Sequence, residues 1–66
     1  MTFRFCLMGA SQHPLVEVKV ASLADLHDLM DRTRFVAGHL AEADEHGVQP
    51  GVLIATSRVQ MVVAVD

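Results

Sequence analysis

Four histidines, one cysteine, several carboxylates and a set of arginines are the residues of this chain with chemical potential, and their spacing decides what they can do. His27 and Asp31 stand four apart, the separation that places two side chains on one helix face, and the pair could share a divalent ion if His13 or His39 added ligands. Every such ligand set needs residues from separate elements. The plainer reading is a solvated row of His27, Asp31 and Arg34, and no metal is expected. Cys6 would be a nucleophile if a histidine lowered its pKa, and Ser57 beside Arg58 could be imagined as an acylated serine. Neither has a recognisable base at a fixed offset, so Cys6 reads as a small buried hydrophobe, Ser57 as a turn residue, and no catalytic residue is expected. Gly9 stands alone after the first apolar stretch, without a glycine-rich phosphate loop, so no nucleotide or other cofactor is expected. Arg4, Arg32, Arg34 and Arg58 suit bidentate pairing with carboxylate or phosphate, which keeps an anion pocket between subunits as an alternative.

Such residues act only when a fold positions them, and the composition limits that fold. A chain of 66 residues makes one domain, here 1–66, and a domain of this size buries only about 60% of the surface that its unfolded chain exposes. Hydrophobic residues make up 52% of it and charged residues 20%, with a mean hydropathy of +0.36. A greasy domain with little polar surface and a small core is expected to be a homo-oligomer, a dimer or higher. The formal net charge of -3 argues against nucleic acid, because phosphate backbones attract basic proteins. A single cysteine suits a reducing cytoplasm. No apolar run approaches the ~18 residues of a membrane span, and Arg4 interrupts the apolar start, so neither a membrane nor a signal peptide is expected.

Residues 2–8 alternate, with Phe3, Phe5 and Leu7 on one side, which is the period of a half-buried strand. Residues 9–14 read as a loop, and Val16, Val18 and Val20 then alternate with Glu17 and Lys19, so a second strand is expected to form a hairpin with the first. From Ser22 to His46 the spacing of Leu23, Leu26, Met30, Ala37 and Leu40, widened by Leu29 and Val36, predicts one long helix. Ser22 is its expected N-cap, with Asp25 three residues on, and Gly47 and Pro50 are its expected stop. The run Gly51–Ala55 reads as a strand buried on both faces, and Thr56–Ser57 as the turn of a second hairpin leading into Arg58–Val65. The expected fold is therefore α+β, a β-β-α-β-β domain with a mainly antiparallel sheet, one long helix on one face, and oligomerisation to complete it. The uncovered face would show some of Arg4, Cys6, Met8, Leu53, Val62 and Ala64 beside Glu17, Lys19 and Gln60.

On that long helix Phe35 would point away from the apolar stripe, with Arg32 and His39 on either side at helical spacing. A large aromatic beside arginine on a polar face is the composition of an interface centre, so Arg32, Phe35 and His39 are the candidate partner-binding residues. Together these features describe a non-catalytic, homo-oligomeric interaction or regulatory module, with a second protein as a further partner. The alternative is a small-molecule or anion-binding oligomer.

Overall fold

The computed structural model describes residues 1–66. Strand β1 spans Thr2–Leu7 and β2 spans Leu15–Glu17, and they pair antiparallel with Phe3 opposite Val16. The expected alternation sets their faces, with Phe3, Phe5 and Val16 buried and Arg4 and Glu17 in water, but β2 ends at Glu17 rather than Val20, where the Val20 N–H turns back to the Val18 carbonyl; Val18 is still buried and Lys19 exposed beyond it.

Helix α1 runs over Leu23–Arg32 and starts as its sequence requires, with the Ser22 Oγ accepting the Asp25 N–H at 3.1 Å. It inserts Leu26, 1% exposed, into the core and leaves Asp25, Asp28 and Asp31 in solvent. It does not continue to His46. The chain turns extended at Thr33, whose hydroxyl donates to the Leu29 carbonyl, and Phe35–Leu40 forms strand β3. Two periods compete in this stretch. Val36, Ala37 and Leu40 fit a helical stripe that begins at Leu23, but Val36, Gly38 and Leu40 fit a period of two equally well. Aromatic and β-branched residues at 35 and 36 favour the strand, and β2 has a free edge on which the strand gains a ladder of hydrogen bonds. Gly38, a costly residue inside a helix, has a use in β3: an added Cβ would lie 2.6 Å from the Glu17 carbonyl oxygen and 2.8 Å from a Val16 methyl.

Gly47 does take a positive φ of 77°, but in the loop joining β3 to β4 (Gly51–Ala55) rather than at a helix end. Asp44 organises that loop, its Oδ1 accepting the N–H groups of His46 and Val48. Strand β4 pairs antiparallel with β3, Ala37 facing Leu53. It is buried on one side only: Ile54 is 7% exposed and Leu53 is 70% exposed, so the expectation of burial on both faces fails. An edge strand without charges carries the same apolar run as a central strand, which is why the two were not separable by composition.

A 3-10 turn, Thr56–Arg58, leads to β5 at Val59–Ala64. The expected hairpin between these last two strands does not form. The sheet order is β4-β3-β2-β1-β5, so β4 and β5 are opposite edges, and the element order is β-β-α-β-β-β. Four strand spacings of about 4.8 Å would hold the edges of a flat sheet roughly 19 Å apart. The path from Ala55 to Val59 reaches only roughly 14 Å when fully extended. The sheet must therefore coil. Thr56 binds the turn to the α1–β3 junction, its N–H and hydroxyl both donating to the Arg34 carbonyl, and the Arg58 carbonyl accepts the Met8 N–H after β1. The core of Phe3, Phe5, Val16, Val18, Leu26, Val36 and Ile54 fills the inside of this coil. Phe3 and Phe5 meet edge to face at 6.4 Å between ring centres. The structure is thus a small α+β fold of five antiparallel strands and one helix.

Candidate functional site

The outer side of the β3–β4 hairpin presents what a small domain normally hides. Phe35, Ala37 and His39 alternate along β3 with their side chains outward, and their partners across the hairpin are Ala55, Leu53 and Gly51. Phe35 is 54% exposed, and Leu53 is the most exposed large hydrophobic residue of the chain. Its neighbours on the hairpin face are the small residues Ala37, Gly51 and Ala55, which cover little of it. Glu17 and Lys19 border the hairpin on the β2 side, and together with His39 and Leu53 they line a shallow depression over Gly38. Contact with an apolar or mixed surface is the work this arrangement suits.

Phe35 and His39 thus share one face of a strand, about 13 Å apart along it at about 3.3 Å per residue. Arg32 does not share that face. It ends α1, where its Nε donates to the Asp28 carbonyl. The helical arc proposed for the three residues came from the assumed long helix and falls with it. Leu53, the residue that sequence reasoning underweighted, carried a signal: Gly51, Leu53 and Ala55 alternate with Val52 and Ile54, a period of two hidden inside a uniformly apolar run.

The other candidates are scattered. His27 and Asp31 meet at 3.8 Å on the exposed side of α1, an ordinary helical pair. His13 lies in the β1–β2 loop and His39 on the outside of β3, and no three His, Cys, Asp or Glu residues come together as a ligand set. Arg34 lies in the α1–β3 junction rather than beside His27 on a helix. Cys6 is a half-buried free thiol opposite Met61, and Ser57 sits exposed in the 3-10 turn. Val62 was expected on the uncovered face, but it stands opposite Phe5 and packs against the core, while Met61 and Val63 turn outward.

No family model, curated protein or solved structure matches this chain. The site is therefore described by its own geometry. No helix is long and apolar enough to cross a membrane. A separate cleft holds Arg4, Gln12 and His13 beside Glu42, a mixed polar set at the loop end of β1 and β2.

Proposed function

We propose that this chain is a non-catalytic interaction or regulatory module that acts as a homo-oligomer, with Phe35, His39 and Leu53 as its contact surface. The observation that carries the reading is the exposure of Phe35 at 54% and Leu53 at 70% on a hairpin face with no charged residue between them. A monomer gains nothing from an apolar patch facing water, whereas an interface gains roughly 25 cal/mol for each Å² of apolar area it covers. Aromatic anchors of this kind sit at interface centres. The single free thiol accords with a reducing, cytoplasmic setting, and a second protein can use the same surface.

Sedimentation of the purified chain at low micromolar concentration tests the reading, with at least a dimer expected and a folded monomer counting against it. The cleft beside Arg4 and His13 favours a second reading, an oligomer that binds a small anion. Stabilisation by inorganic phosphate, lost in Arg4→Ala, is its signature.

A further inference from the structure

The free edge of β4 is the part of this molecule least explained by its own fold. In the β3–β4 ladder the Leu40 N–H donates to the Pro50 carbonyl and the Thr56 N–H to the Arg34 carbonyl, each at 2.9 Å. Hydrogen-bonded pairs in an antiparallel ladder recur every second residue, so Val52 and Ile54 turn their backbone groups toward β3. Gly51, Leu53 and Ala55 turn theirs outward, along an edge with no neighbouring strand. Natural edges are commonly blunted by a charge, an interior proline, a bulge or a covering element. β4 has no charged residue and no bulge, and its only proline, Pro50, precedes the strand. The opposite edge, β5, differs in carrying a bulge against β1; an open groove runs beside each edge, toward Leu23, Leu26 and Met30 of α1 at β5 and toward Leu7–Ala10 at β4.

We propose that β4 pairs antiparallel with β4 of a second copy of this chain, with Leu53 on the two-fold axis. This rests on the self-association reading and specifies its interface. In that register Leu53 faces the second copy's Leu53 as a hydrogen-bonded pair, and Gly51 faces the second copy's Ala55. The sheets of the two copies then run on as one. The two leucines meet between Ala37 residues, with only glycine and alanine beside them, so the small neighbours that leave Leu53 bare in one molecule make room for its mate.

The charges around β4 select this pairing over others. Glu42, Asp44 and Glu45, all exposed, lie in the loop that leads into Gly51, and Arg34 and Arg58 flank the Ala55 end. Antiparallel pairing of β4 with itself brings the acidic end of each copy to the basic end of the other, twice over. Antiparallel pairing of β4 with β5 of another copy would set the acidic loop near Asp66 and the arginine end near Arg58, like charge against like. A parallel β4 pair would do the same. The favoured arrangement also closes at two copies, whereas β4 on β5 would propagate into a filament.

The test uses Leu53→Lys and, in a Cys6→Ser background, Leu53→Cys. Because the Leu53 side chain lies in solvent, the lysine variant should keep the wild-type melting temperature when both are compared as monomers, yet lose the dimer in sedimentation. Directly opposed residues of a hydrogen-bonded pair have Cα atoms about 5.5 Å apart, inside the disulfide range of about 4.4–6.8 Å, so Leu53→Cys should convert fully to a linked dimer on mild oxidation. Val62→Cys in the same background should stay unlinked. Added salt should weaken the wild-type dimer. A dimer that survives Leu53→Lys, or a link through Val62→Cys, overturns the β4 pairing and leaves the self-association reading standing. Assembly that strengthens with salt or grows beyond two copies identifies β4 on β5 and overturns it as well. A wild-type chain that is monomeric throughout removes both.

Discussion

The two hairpins of this sheet are built on the same alternation and end up with opposite characters. In β1–β2 the inward residues Phe3, Phe5 and Val16 are fully buried and the outward residues include Arg4 and Glu17. In β3–β4 the inward residues Val36 and Ile54 join the same core, but the outward residues are Phe35, Ala37 and Leu53. A hairpin that is apolar inside and charged outside is complete in water. A hairpin that is apolar on both sides has one face left to cover, and water is a poor partner for it. The first hairpin therefore accounts for the fold, and the second offers the surface on which we place the function.

The largest expected effect breaks the first hairpin. Phe5→Ala removes a fully buried ring from the centre of the core and should cost about 3–5 kcal/mol in urea unfolding, enough to unfold a domain of this size. If the loss were small, the core would not sit where the burial pattern places it. Gly38→Ala strikes the seam between the hairpins. Its new methyl would press on the Glu17 carbonyl at 2.6 Å, and overpacking of this kind should cost about 1–3 kcal/mol. A helix through residue 38 predicts the opposite sign, a gain of roughly 1 kcal/mol from replacing a helical glycine, so one measurement decides between the two structures of this segment.

Smaller effects follow outside the core. Ser22→Ala deletes the cap on the Asp25 N–H and should cost about 1 kcal/mol, with loss of helical circular dichroism as the independent readout. Phe35→Ala should change protomer stability by no more than about 0.5 kcal/mol, despite the size of the ring, because that ring lies more than half in solvent. Equal costs for Phe35→Ala and Phe5→Ala would erase the difference between the hairpins. The smallest expected effect is none: EDTA should leave the melting temperature unchanged, since no ligand cluster stands behind His39 or His27, and a large fall with stoichiometric metal in the untreated protein would reverse that.

Several elements are legible in the sequence alone. β1 was visible because Phe3 and Phe5 alternate with polar residues, the start of α1 because Ser22 and Asp25 form a cap, and β2 in part, since the alternation of valines with charges runs to Val20 while the strand stops at Glu17. The end of α1 was not, since the run through Val36 and Leu40 obeys both periods and nothing before Gly47 stops a helix on its own. The face on which we propose the contact was half legible. Phe35 and His39 stood out as an aromatic and a polar residue away from the apolar stripe, but placing them on a strand moved Arg32 off their face and brought Leu53 onto it.

By itself the sequence determined the faces of the early strands, the helix cap and a high apolar content. These are local matters of periodicity, hydrogen-bonding side chains and composition. Only the tertiary structure decided that Phe35–Leu40 is a strand, that β4 and β5 lie at opposite edges, and that Leu53 faces water. Each of those depends on a partner far along the chain: the edge of β2 for β3, the coil of the whole sheet for the 3-10 turn, the missing neighbour for β4. An apolar segment records that it can be buried. Which of its sides has something to be buried against is a property of the assembled sheet, because the same alternating valines and leucines suit a central strand and an edge alike.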